Sequence, residues 1–137
     1  MPQYWILKTE PTDYSYQDLE ADGRTVWDGV KNNLALKHLR AMKQGDRALV
    51  YHTGNVKALI GEAVIVSPPY ADPRAGDPRL VVVDLEPARQ LGRPVPLAEI
   101  KAEPALAQLG LVRMGRLSVV PASAAQWKQL KGMGRKA

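Results

Sequence analysis

Four short stretches hold residue types that could bind or react. Trp27-Asp28-Gly29-Val30 sets a flat ring beside a carboxylate and a glycine, in a segment with no periodicity of its own. That combination suits a planar ligand. The ring stacks, the carboxylate accepts a hydrogen bond, and glycine lets the backbone come close. The same Trp suits a plug at the end of a barrel equally well. Lys8-Thr9-Glu10-Pro11 carries three polar groups where a strand ends, a pattern shared with plain surface turns. Tyr51-His52-Thr53 ends another strand. It reads either as site residues or as a cross-strand aromatic with a solvent histidine. Arg113, Arg116 and Ser118 offer charge-assisted hydrogen bonds to a phosphate, or form a solvated cationic turn.

Other chemistry is excluded or weak. The chain has no cysteine, so thiol nucleophiles, disulfides and cysteine zinc sites are out. His38 and His52 alone do not make a zinc site, and no metal or cofactor is expected. Gly110 to Leu117 copies the glycine spacing of a phosphate loop, but Arg116 and Leu117 stand where lysine and a hydroxyl belong. There is no Gly-x-Ser-x-Gly elbow. Ser118, His52 and Asp28 form only the kind of triple that any chain of this length offers. Asp84 and Glu86 share one face of a strand and read as a solvated edge, with nothing nearby to raise a pKa. No catalytic set is expected. The rivals to a binding module are an enzyme using His52 with Glu10 on a nucleotide or modified base, and a protein-interaction domain using the basic face.

Lys and Arg number 19 against 14 Asp and Glu, a net charge of +5, which favours a polyanionic partner. No stretch is long and apolar enough to span a bilayer, and the start does not read as a signal peptide, so a cytoplasmic protein with no membrane partner is expected. With 137 residues, 45% of them hydrophobic, one globular domain over residues 1–137 is expected. Phe is absent, so Val, Leu, Ile and Ala must build the core.

These residues need elements to hold them. Tyr4 to Leu7 reads as a buried strand. Ser15 with Asp18 caps a short helix that Gly23 ends. A helix from Asn32 or Asn33 to about Met42 turns Ala35, Leu39 and Met42 inward, with Leu36 at the margin and a basic outer face of Lys37, His38, Arg40 and Lys43. Strands follow at 48–52 and 58–66, the second interrupted by Gly61, where a bulge or corner is expected. A proline-rich loop spans 68–78, and 80–86 is a β-branched strand that residues 89–96 either continue or leave as a loop. Short helical turns lie at 97–101 and 105–109, a strand at 117–121, and a last helix behind the capping box Ser123/Gln126. The tail from 131 to 137 is expected to fray. Short turns between strands predict an α+β fold: a small antiparallel β-barrel with short helices around it.

Read together, several stretches resemble the EVE-domain family of the PUA-like superfamily, in family order across nearly the whole chain. They are residues 4–11, Trp27 to Asn32, Arg40 to Asp46 leading into Tyr51-His52-Thr53, Tyr70-Ala71-Asp72-Pro73, Val83-Asp84-Leu85, and Leu111 to Val119. The resemblance implies a PUA-like barrel related to YTH and ASCH domains, binding DNA or RNA through a pocket for one flipped or unpaired base, with modified bases the suspected ligands. It carries the pocket onto Lys8, Glu10, Trp27, Asn32, Tyr51, His52, Thr53, Arg116 and Ser118. Lys31, Lys37, Arg40, Lys43 and Arg113 would hold phosphates without reading sequence. Asn33 departs from the family's common tyrosine, which leaves one pocket wall more polar.

Overall fold

The computed structural model describes residues 2–135. Seven strands and five short α-helices alternate along it: β1 (Tyr4–Thr9), α1 (Tyr16–Asp22), β2 (Thr25–Trp27), α2 (Asn33–Ala41), β3 (Arg47–His52), β4 (Ala58–Ile65), β5 (Tyr70–Ala71), β6 (Val81–Pro96), α3 (Leu97–Ala102), a 3-10 turn (Pro104–Leu106), α4 (Gly110–Arg113), β7 (Val119–Ala122) and α5 (Ala124–Met133). The strands form one curled sheet in the order β2-β6-β4-β3-β1-β7, with β5 paired to β6. The short turns do give antiparallel pairs. One pair differs from the expected antiparallel barrel: β1 runs parallel to β3. Parallel neighbours need a crossover, and residues 10–46, carrying α1, β2 and α2, supply it.

Local chemistry explains the elements. Ser15 and Asp18 form the expected capping box, and Gly23 ends α1 in the left-handed region at φ 73°. Asn32 caps α2 by accepting the Ala35 N–H. Ala35, Leu36, Leu39 and Met42 are all buried, so Leu36 belongs to the inner stripe. Gly61 marks a register shift between β4 and β6, as its position suggested. A side chain there would run into the ring of Tyr16, which is fully buried and donates its hydroxyl to Glu62 O at 2.7 Å. Residues 89–96 continue β6. Three elements escape the sequence reading, β2, β5 and α4, because runs of two to four residues carry no period.

The tail reading needs correction. Residues 131–133 are helical, and Lys131 Nζ donates to the buried carboxylate of Glu62, which also accepts from Arg47 at 2.8 Å. Burial pushes the Glu62 carboxyl up, but the hydrogen bonds and charges of Lys131 and Arg47 outweigh it and hold it below the usual range. Residues 136 and 137 lie outside the described residues.

Candidate nucleic-acid interface

The sheet does not close. Its terminal strands are β2 and β7. Helix α2 packs against both β6 and β7 and fills part of the gap with its apolar stripe. A cleft of about 940 Å³ occupies what α2 leaves open. It is lined from both ends of the sheet: by β2 and the turns flanking it, by Tyr70, residues 72–74 and Asp84, and across from them by Lys8, Thr9 and Ser118.

Trp27 stands at its aromatic corner. The ring is 7% exposed, its inner side belongs to the core, and Tyr14 meets it edge-on at 6.3 Å between centroids. Trp27 therefore packs the core and also borders the cleft. Tyr14 is fixed by donating its hydroxyl to Asp22 at 2.7 Å, and its backbone carbonyl accepts from Thr9 Oγ1. Lys8 Nζ donates to Gly115 O at 2.9 Å and lies 5.9 Å from the centre of the Tyr51 ring. Burial lowers its pKa.

Of the nine residues assigned to the pocket, Lys8, Trp27 and Ser118 line the cleft. Six do not. Asn32 spends its side chain on the α2 cap. Tyr51 is buried in the core beneath Lys8. Thr53 Oγ1 donates to Glu10 at 3.2 Å and to Thr9 O at 3.3 Å, so Glu10 and Thr53 tie the ends of β1 and β3 together. Arg116 is exposed in the turn before β7. His52 is 5% exposed, and its Nε2 accepts the Tyr16 N–H at 3.0 Å, satisfying one of the free donors at the start of α1. The five phosphate candidates, Lys31, Lys37, Arg40, Lys43 and Arg113, are all exposed and outside the cleft wall. Arg40 donates to Arg79 O at 2.7 Å and Arg113 to Gln108 Oε1 at 2.7 Å.

Burial pushes the His52 imidazole below its ordinary value, with the Glu10 charge pulling the other way. The unfolded chain, titrating near 6.5, therefore takes up its proton first as pH falls. The His52 share of stability is fully present above about pH 6.5 and is lost as pH drops toward the folded value. Denaturant melts across pH 5–8 should show that decline, and His52→Gln should flatten it, leaving the share of His38, whose burial lowers it in the same direction. A curve that His52→Gln leaves unchanged contradicts a buried neutral imidazole.

The cleft holds charged groups that the sequence reading passed over. Asp84 is only 16% exposed and is no solvated edge residue, unlike Glu86 at 46%. Its two oxygens are held separately, Oδ1 by the Tyr70 hydroxyl at 2.5 Å and Oδ2 by Arg24 Nη2 at 2.8 Å. These two bonds keep the Asp84 carboxyl below its usual range, and the same contact pushes Tyr70 up to about 12. Lys8, Arg24 and Arg74 face Asp13, Asp28, Asp72 and Asp84 around the wall. The cleft is therefore not basic, although the chain is. Such a lining suits the polar edge of a base better than a phosphate. The only hint of Arg24 in the sequence was its place between Gly23 and the Trp27 segment. No group of three or more His, Asp or Glu among the described residues is placed to hold a metal ion.

A curled mixed sheet with short helices around it is the architecture of the EVE and PUA-like folds. The match narrows further. The EVE-domain family matches residues 3–133, and the chain belongs to that family. Mouse thymocyte nuclear protein 1 is 34% identical over 128 residues, 74% of this chain and 56% of that protein. The chain thus spans about half the length of the curated relatives it matches. A solution structure of a Rhodopseudomonas palustris protein is 40% identical, with a TM-score of 0.91, and the match covers 96% of this chain and 92% of that one. The human THYN1 protein in complex with 5-methylcytosine containing DNA is 29% identical, with a TM-score of 0.89, covering 98% of this chain and 99% of that one. No helix among the described residues is long and apolar enough to cross a membrane.

Proposed function

We propose that this chain acts as one EVE domain that reads nucleic acid by taking a single unpaired base, a modified cytosine in the first instance, into the cleft beside Trp27. The observation that carries the reading is the cleft itself: an aromatic corner of buried Trp27 and half-buried Tyr14, walled by fixed polar groups, in the gap of an open sheet. The human relative bound to DNA containing 5-methylcytosine supports the choice of ligand. DNA is the first polymer to test, and RNA is the second.

The physics suits a reader. Stacking on an aromatic contributes roughly 1–3 kcal/mol per base. Edge hydrogen bonds then reject bases that leave a buried group unpaired. A buried methyl adds only about 0.8 kcal/mol, so methylation sensing by burial alone amounts to about fourfold. The phosphates stay outside, against Lys31, Lys37, Arg40, Lys43 and Arg113, which the structure leaves exposed. In this reading the domain is a binding module and not an enzyme, and its proposed compartment is the cytoplasm. It requires no cofactor.

The test is a binding screen of plain and 5-methylcytosine oligonucleotides, single- and double-stranded, DNA and RNA, across a salt series. Affinity should fall with salt at a slope of about −0.7 per phosphate contacted on single strands. Lys37→Ala, Arg40→Ala and Lys43→Ala should each weaken binding evenly across sequences. Salt-independent binding would remove the phosphate contacts from the reading. Nucleotide turnover that His52→Ala abolishes would replace the reader with an enzyme.

A further inference from the structure

The pairing of β2 with β6 divides the cleft. Val26 lies opposite Asp84, and Trp27 lies opposite Val83. Side chains alternate across a strand, so Trp27 and Asp84 face opposite sides of this ladder. Val83 is fully buried on the Trp27 side. Both Trp27 and Asp84 nevertheless border the same cleft. Because β2 is a terminal strand, the cleft wraps around its free edge and has two walls. Its volume of about 940 Å³ is at the upper end for ligand pockets, more than one planar base fills.

We propose that the outer part of this cleft, walled by Arg24, Tyr70 and Asp84, is a second subsite that takes the nucleotide adjacent to the base at Trp27, with Asp84 selecting an amino-bearing base there. The proposal rests on the base-reading function above. Asp84 is a fixed acceptor: Tyr70 holds one oxygen, Arg24 the other, and Ser67 Oγ accepts the backbone N–H of Asp84 at 2.9 Å. A carboxylate has about four acceptor positions, so roughly two remain after Tyr70 and Arg24. Ionised, it donates nothing. It accepts from the amino group of cytosine, adenine or guanine. Thymine carries a carbonyl on each side of its single ring N–H, and these oxygens oppose the carboxylate. A purely structural role is the competing account, since Tyr70 and Asp84 also pin β5 to β6.

The experiment uses short single-stranded DNA with one central 5-methylcytosine, each flanking base varied in turn, at fixed salt. On one flank, adenine, cytosine or guanine should bind about tenfold more tightly than thymine. Asp84→Asn, whose amide can both donate and accept, should collapse that preference to about twofold or less while leaving the ratio of 5-methylcytosine to cytosine at the centre unchanged. Tyr70→Phe keeps the carboxylate but frees one oxygen, and should reduce the flank preference only in part. A flat flank preference in the unaltered protein overturns the second subsite while central-base selection stands. An equal loss for every flank in Asp84→Asn makes Asp84 a structural latch only. No binding to any oligonucleotide sinks the base-reading function, and this subsite with it.

Discussion

Asp46→Ala should cost about 3–5 kcal/mol of folding stability, although Asp46 lies far along the chain from the residues it holds. The carboxylate is 2% exposed. Its Oδ1 accepts the Gln3 N–H at 3.0 Å, and its Oδ2 accepts the Trp5 indole N–H at 3.0 Å and the Lys43 N–H at 2.9 Å. One side chain thus joins the start of β1, the turn after α2 and the start of β3. Hydrogen bonds to a charged group contribute about 1.5–3 kcal/mol each and do not add fully. The Gln3 and Lys43 amides sit in exposed residues and can turn to water after truncation. The Trp5 indole, 3% exposed, cannot. Asp46→Asn should cost less, because its amide keeps one oxygen but aims an N–H at another donor. Thermal melts should show Asp46→Ala lowered by roughly 10 °C or more, with Asn between it and the unaltered protein. A loss below about 0.5 kcal/mol for Ala would mean that this buried network is not what fixes the parallel pairing of β1 with β3.

Asp46 also shows where the sequence stops being legible. Beside Gly45 it reads as a turn residue, and it is one, yet its energetic role comes from Gln3 and Trp5, 43 and 41 positions away. Local signals were readable because their causes are local. Ser15/Asp18 and Ser123/Gln126 announce helix starts, and Gly61 announces a register shift. The parallel neighbour of β1 was not readable, because a crossover of 37 residues (10–46) leaves no short-range mark. The candidate site was half legible for the same reason. Trp27 stood out as an aromatic without a stripe, and it borders the cleft. His52 stood out as a polar residue at a strand end, but α1 folds back and uses it to satisfy the Tyr16 amide. Asp84 looked like one half of a solvated carboxylate pair. Only the return of β5, with Tyr70, and of the turn carrying Arg24 makes it a fixed acceptor.

Trp27→Ala should weaken oligonucleotide binding about five- to 150-fold, the loss of one base stack. The structure adds a second effect. At 7% exposure the ring is also core, and its truncation should cost about 3–5 kcal/mol of stability. The two losses differ in kind and can be separated. A domain near the middle of the usual range of roughly 5–15 kcal/mol remains folded at low temperature after such a loss, and a far-UV spectrum of each variant selects the conditions where affinity is measured on folded protein. Trp27→Tyr supplies the control. It keeps a planar ring for the stack and for the edge contact with Tyr14, while leaving part of the core space empty. Its stability should lie between those of Trp and Ala, and part of its binding should survive. Binding that tracks ring area, at a temperature where all three forms are folded, makes Trp27 the platform. Were folded Trp27→Ala to bind 5-methylcytosine DNA as tightly as the unaltered protein, the ring would be core alone, and the base would have to be held elsewhere in the cleft.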